Sequence, residues 1–323
     1  MKINILIIVF LFLGTSYLIS QEQNEVSLKF AVIADIHAQD TPDGKARLDT
    51  FVNSAIKENV DFIINLGDFC RLDSVGLSIK SIWDNFPGDK YIVMGNHDTD
   101  KHSVKEYIQH MGMPGRYYSF DKGEFHFIVL DGNNIFDGKN YTHYEFGNYF
   151  QNPGKESYID EEQQEWLKVD LASTNKRCIL FSHQSLNMIL RNGPAIQMIL
   201  EKENERAGFK KIVVVFGGHE HNNYEEVING ITYIQLNSAS YKWEGTDTQT
   251  EKRFPEKVNE QFPLMKYSFP YTKTLFAIVS LNDEKMILKG QDGDYLSPTP
   301  VDLKLDNRHY IPYIRNSVVF FYR

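Results

Sequence analysis

The sequence predicts an α/β protein. Apolar strands alternate with segments of helical spacing, several strands stop abruptly at Gly or at a polar residue, and no internal repeat or low-complexity tract interrupts the pattern. With 323 residues, 42% hydrophobic and 24% charged, the chain has an ordinary globular composition and length for one large domain or two small ones.

Leu28–Ala34 reads as a buried strand ending in Asp35-Ile36-His37. Side chains alternate along an extended segment, so Asp35 and His37 project together while Ile36 packs inward. Ala46–Asn59 follows with Leu48, Phe51, Val52, Ala55 and Ile56 on one helical face. Phe62–Leu66 is the second strand, ending in Gly67-Asp68, and Leu77–Phe86 is a helix stopped by Pro87-Gly88. Tyr91–Met94 is the third strand, leading into Gly95-Asn96-His97-Asp98. There Gly allows a sharp turn before an amide, an imidazole and a carboxylate in succession.

Val104–Met111 is a short helix, and Tyr117–Phe120 and Phe125–Leu130 form an antiparallel pair. Asn133–Tyr158, rich in Gly, Asn and aromatics, reads as a long functional loop. Asp160–Ala172 is a helix, and Cys178–Ser182 is a strand ending in His183. Ala195–Arg206 is a helix, and Lys211–Phe216 is a strand ending in Gly217-Gly218-His219-Glu220-His221. Ile231–Leu236 is a further strand. Tyr241–Pro270 reads as a second long loop or lid in which Tyr241 and Trp243 are candidates for a pocket wall. Leu275–Leu281 and Lys285–Gly290 form a hairpin, and Val318–Phe321 is a late edge strand.

Five strand ends thus carry metal-capable side chains, which are Asp35 and His37, Asp68, Asn96 and His97, His183, and His219 and His221. Open α/β sheets build sites outside the carboxyl ends of their strands, so these ends can meet. Four imidazoles, two carboxylates and an amide suit two divalent ions better than one, with Asp68 as the bridge, one oxygen to each. Mixed nitrogen and oxygen donors favour manganese, iron or zinc. His102, His110, His126, His143 and His309 are read as structural.

The ordered set Asp-x-His, Gly-Asp, Gly-Asn-His-Asp, a single His after a strand, and Gly-His-x-His resembles the calcineurin-like metallophosphoesterase superfamily. The resemblance implies a four-layer α/β/β/α sandwich with two central mixed, mostly parallel sheets. It implies that Asp35, His37, Asp68 and His221 hold one metal ion and that Asp68, Asn96, His183 and His219 hold the other. It makes His97 the acid that faces the leaving group, with Asp98 supporting it. The reaction implied is hydrolysis of a phosphate ester by a metal-bridging hydroxide. Purple acid phosphatases, one branch of the superfamily, place a metal-binding Tyr three residues after the bridging Asp. Here that position is Arg71, a candidate contact for a substrate anion. Gln184 stands where many relatives carry a second His. The missing Tyr leans the reading toward phosphodiesters. Phosphomonoesters, nucleotide pyrophosphates, and a catalytically inactive metal-binding or partner-binding protein are the alternatives.

The net charge of −9 argues against holding long nucleic acid by bulk electrostatics and favours a small phosphorylated substrate. Lys2, the apolar run Ile5–Leu13, and the small or polar residues up to Ser20 give the pattern of a secretory signal peptide over residues 1–20, with a single domain over 21–323. The chain is then expected outside the cytoplasm, free of the membrane once the signal is cleaved. An uncleaved N-terminal anchor is the alternative. Cys70 and Cys178 fall at opposite ends of strands and are expected as free thiols, and nothing in the sequence fixes the oligomeric state.

Overall fold

Residues 26–245, 249–305 and 310–322 are described by a computed structural model. Residues 1–20, where a signal segment is expected, and His309 lie outside them. In chain order the elements are β1 (Leu28–Ile33), α1 (Gly44–Lys57), β2 (Phe62–Asn65), α2 (Ser74–Asp84), β3 (Asp89–Ile92), α3 (Val104–Met111), β4 (Tyr118–Lys122) and β5 (Phe125–Leu130). A small ribbon of β6 (Asn134–Phe136) and β7 (Tyr141–His143) precedes α4 (Glu161–Ser173), β8 (Arg177–Ser182), α5 (Gly193–Ala207) and β9 (Ile212–Gly217). Then come β10 (Tyr224–Ile228), β11 (Ile231–Gln235), β12 (Tyr241–Trp243), α6 (Glu256–Gln261), β13 (Ser268–Pro270), β14 (Ala277–Leu281), β15 (Lys285–Gly290) and β16 (Ser317–Phe320).

Two mixed six-stranded sheets carry the fold. One has the order β16-β15-β14-β1-β2-β3 and the other β10-β11-β9-β8-β5-β4. Strands β1, β2 and β3 are parallel, as are β5, β8, β9 and β11, while the remaining pairings in both sheets are antiparallel. Period-two alternation sorts the side chains into layers. Phe30 of β1 stacks on Phe62 of β2 at 4.8 Å and meets Phe127, Phe181 and Phe216 of the other sheet edge-on at 5.9, 6.0 and 6.3 Å. These rings fill the space between the sheets. On the far side of the second sheet, Ile128, Leu130 and Leu180 pack with Leu167 and Leu171 of α4 and Ile196 and Leu200 of α5. Leu48 and Phe51 of α1 join Ile79 and Trp83 of α2 in the core against the first sheet. The layering is α/β/β/α.

Four differences between the sequence reading and the structure have a local cause. Strand β3 ends at Ile92; Val93 keeps one backbone bond to Asn65 O at 2.9 Å, and the chain then leaves the sheet to reach Gly95. Helix α2 begins three residues early because Asp73 caps it, accepting from the N–H groups of Val75 and Gly76. Strand β10 is a polar edge strand whose exposed Glu225 and Glu226 hide the strand pattern. The two long loops contain short structure, the β6–β7 ribbon in the first and β12, α6 and β13 in the second, in pieces too brief to show a period. Cys70 and Cys178 are buried free thiols.

His126 on β5 ties the second sheet to its helix layer. Its Nδ1 bonds to Asp121 at 2.7 Å and its Nε2 to Asp170 of α4 at 2.9 Å. Burial lowers its pKa, but the two carboxylates outweigh burial and the net shift is upward from 6.5. The stability this contributes is therefore full below the unfolded value of 6.5 and lost as pH rises through the higher folded value. Urea unfolding at about pH 6 and about pH 9 should show a larger wild-type advantage over His126→Gln at the acid end. An advantage that is equal or larger at the alkaline end contradicts this account.

Candidate dinuclear metal centre

Strands β1, β2, β3, β8 and β9 finish at one edge of the sandwich, and the loops that leave them are stitched together. Asp35 N–H donates to Gly67 O at 3.1 Å, His37 N–H to Asp68 O at 3.0 Å, and Gly218 N–H to His183 O at 2.9 Å. The two sheets are joined across the site. His219 N–H reaches both Asp35 carboxylate oxygens at 3.0 and 2.9 Å, and Ser238 Oγ donates to Asp35 O at 2.8 Å. Asp35, His37, Asp68, His219 and His221 all have left-handed backbones, with φ of 50, 43, 50, 76 and 46°. Each such residue costs on the order of 1–2 kcal/mol, and clustered strain of this kind marks functional sites. Gly67, at φ +100°, has no room for a side chain, since a Cβ would sit 2.5 Å from His183 Nδ1. At Gly95 a Cβ would overlap Asp68 N and Oδ1.

The candidate ligands form two groups. Asp35, His37 and His221 make one, and Asp68, His183 and His219 the other; within each group the offered atoms lie within 4.8 Å of one another. Asn96 joins the second through Oδ1, 3.0 Å from His183 Nε2 and 2.9 Å from His219 Nδ1. Asp68 stands between the groups, but differently from the sequence expectation of one oxygen per ion. Its Oδ2 alone faces both, 3.6 Å from His37 Nε2 and 3.3 Å from His183 Nε2. Its Oδ1 is occupied by the His97 backbone N–H at 2.9 Å. The tight Gly95 turn forces this division by bringing that N–H onto the carboxylate.

The donor atoms fit metal ions. His183 Nδ1 donates to Leu66 O at 2.8 Å and His221 Nδ1 donates to Tyr241 O at 2.8 Å. These bonds place a hydrogen on Nδ1 and turn Nε2 toward the site in both rings. His221 Nε2 then faces His37 Nε2 at 3.1 Å, and His183 Nε2 faces His219 Nδ1 at 3.2 Å. Nitrogens paired at such distances could share a bound cation between them. Burial keeps the His37 imidazole neutral by lowering its pKa to about 4, and lowers that of His219 to about 3. Neutral imidazole is the ligand form. Burial raises the Asp35 carboxyl to about 7; for Asp68, neighbouring imidazoles overcome burial and hold it well below the usual carboxylate range. For His183, burial lowers the pKa but Asp68 outweighs it, giving about 10 without a cation, so an ion binding there would displace the Nε2 proton.

His97 lies at the rim, with its side chain 36% exposed. The expected support from Asp98 is corrected. The Asp98 carboxylate is buried and accepts the backbone N–H groups of Phe69 at 2.8 Å, Cys70 at 3.2 Å and Gly95 at 2.8 Å. Asp98 thus clamps the β2 and β3 loops together, and its orientation leaves nothing for its neighbour's imidazole. Asp100 takes that place, 2.9 Å from His97 Nδ1. Burial lowers the His97 pKa, while Asp68 and Asp100 more than compensate and lift it to about 9. Tyr149, from the long loop, bonds to both partners. Its hydroxyl donates to Asp100 Oδ1 at 2.9 Å and lies 3.0 Å from His97 Nδ1. Sequence reasoning passed over Asp100 and Tyr149. Asp100, three residues past His97, carried a local signal; Tyr149 carried none.

Arg71 lines the same small cavity as His37, Asp68 and His97. Both of its terminal nitrogens are committed to Asp40, at 2.9 and 2.8 Å. Tyr241 is buried behind the ligands, its ring 5.4 Å from His37 and 4.9 Å from His221, whereas Trp243 is exposed. His143 bonds to Asn134 within the β6–β7 ribbon. A cleft of about 830 Å³ opens from Asn96 and His219 and runs between the Tyr149–Tyr158 and Leu186–Arg191 segments. That is the volume of a small-molecule site.

Residues 28–223 match the sequence pattern of the calcineurin-like phosphoesterases, and the chain belongs to that family, a class of phosphoric ester hydrolases. Among solved structures, a dimetal phosphatase from Danio rerio is similar at a TM-score of 0.63 and 15% identity, over 92% of this chain and 100% of that one. GAP50, described as the anchor in the inner membrane complex of Plasmodium, is similar at 0.54 and 14% identity, over 93% of this chain and 90% of its own. At these identities the likeness is one of fold. No curated protein matches the chain by sequence.

Proposed function

We propose that the protein is a dinuclear metal-dependent hydrolase of small organic phosphate esters, with diesters preferred. The observation that carries this reading is the gathering of seven donor residues in two adjoining groups, with Asp68 Oδ2 between His37 and His183 and an oriented imidazole beside them. Ions of the manganese, iron or zinc type, bound there, supply electrostatic stabilisation for phosphoryl oxygens and acidify water. Asp35, His37 and His221 would hold one, Asn96, His183 and His219 would hold the other, and Asp68 would serve both. His97, with Nδ1–H committed to Asp100, turns Nε2 toward the leaving-group oxygen and delivers its proton there. The cleft beyond Asn96 and His219 takes the organic part of the substrate.

The diester preference rests on charge. A monoester dianion gains from an extra guanidinium at the site, and the Arg71 fork is already paired with Asp40. A monoanionic diester needs less. GAP50 carries the name of an anchor on a related fold, but the complete donor set and His97 favour catalysis here. With added manganese, bis(p-nitrophenyl) phosphate should be hydrolysed with a higher kcat/KM than p-nitrophenyl phosphate. The reverse order would remove the diester reading, and no hydrolysis of either with any of the three metals would remove the enzyme reading.

The N-terminal pattern of Lys2, an apolar run and small residues supports an extracytoplasmic location after signal cleavage. N-terminal sequencing of the fractionated protein should read from near Gln21. Recovery of the intact terminus from membranes would favour an anchor instead, and recovery from the cytoplasm would exclude both.

A further inference from the structure

We infer that Tyr149 is a positioning residue that sets two side chains at once, the proton-bearing edge of His97 and the ligand edge of Asn96. The inference rests on the hydrolase reading above. Its basis is the bonding of one hydroxyl. Tyr149 OH donates to Asp100 Oδ1 at 2.9 Å, so its oxygen is left to accept. Asn96 Nδ2 donates to it at 3.3 Å, and His97 Nδ1 lies 3.0 Å away. The Asp100 carboxylate, 2.9 Å from the same Nδ1, can only accept. With acceptors on both sides, His97 Nδ1 carries its hydrogen there, and Nε2 is the atom that faces a leaving group.

The same hydroxyl orients the amide. An Asn side chain presents oxygen on one side and NH2 on the other. With Nδ2 held by Tyr149, Oδ1 points at His183 Nε2 and His219 Nδ1, at 3.0 and 2.9 Å, where a cation would meet it. A flipped amide would aim N–H groups at the ion. The Tyr149 ring is fixed by stacking on buried Tyr144, centroids 4.6 Å apart, and by Phe150 at 4.2 Å. Tyr149 also lines the cleft, so the loop that touches the substrate's organic part is the loop that holds the acid.

The test compares wild type, Tyr149→Phe, Asp100→Asn and His97→Asn at saturating manganese, on an alkyl ester and on an activated aryl ester of the same phosphate type. Removing the hydroxyl should lower kcat on the alkyl ester by about tenfold or more, with a smaller loss on the aryl ester and little change in KM. Manganese affinity at the weaker site should fall by about tenfold, as for other partners of metal ligands. Independently of turnover, ¹⁵N chemical shifts of His97, recorded at a pH high enough for the ring to be neutral, should report the Nδ1–H form in wild type and a tautomer mixture in Tyr149→Phe. Equal losses on both esters would indicate a merely structural role, and an unchanged tautomer with unchanged metal affinity would overturn the inference. If His97→Asn also shows no leaving-group dependence, the acid role itself fails. If His97→Asn shows it and Tyr149→Phe does not, only the present inference fails.

Discussion

Imidazole nitrogens and a carboxylate oxygen crowd together around Asp68 Oδ2, and positive charge among them is what this crowding requires. His37 and His183 approach that oxygen from opposite groups, each with another imidazole nitrogen about 3 Å beyond. Much of the surrounding architecture serves to hold this unfavourable cluster in place. Five donor residues adopt left-handed backbones, Gly67 and Gly95 leave no space for a side chain, and the remote ring nitrogens of His183 and His221 are tied to carbonyls. The binding of cations offsets such costs, which is why strain of this kind persists where ligands act.

The sandwich explains how distant segments reach one place. Phe30 and its partner rings press the two sheets together, so parallel strands from both present their carboxyl ends at a common edge. Backbone bonds then lock one loop to the next. Asp98 adds to that locking by accepting three N–H groups from two loops. A carboxylate adjacent to an imidazole in sequence is thereby a brace for the loops, while the carboxylate two residues further on orients the ring. Helical or turn spacing, which brings residues three apart together, outweighs adjacency in the chain.

The alternation of strands and helices and the five polar strand ends were legible because they depend on local periodicity. Apolar runs such as Phe62–Leu66 mark strands, and the residues after them must face the edge. Three kinds of feature were not legible. The different roles of the two Asp68 carboxylate oxygens depend on where the His97 N–H falls, a consequence of the turn geometry. Tyr149 reaches the site from a loop whose ribbon strands are three residues long, with no pattern to place it. Arg71 reads as available for an anion, but Asp40, on a different loop, occupies both of its terminal nitrogens. In each case the deciding partner is distant in sequence.

The central claim is that two ions share the oxygen of one carboxylate, and anomalous diffraction from crystals grown with manganese tests it most directly. The account predicts two peaks about 3.5–4 Å apart, one beside Asp35, His37 and His221 and the other beside Asn96, His183 and His219, with Asp68 Oδ2 between them. A single peak, or peaks remote from Asp68, would contradict it.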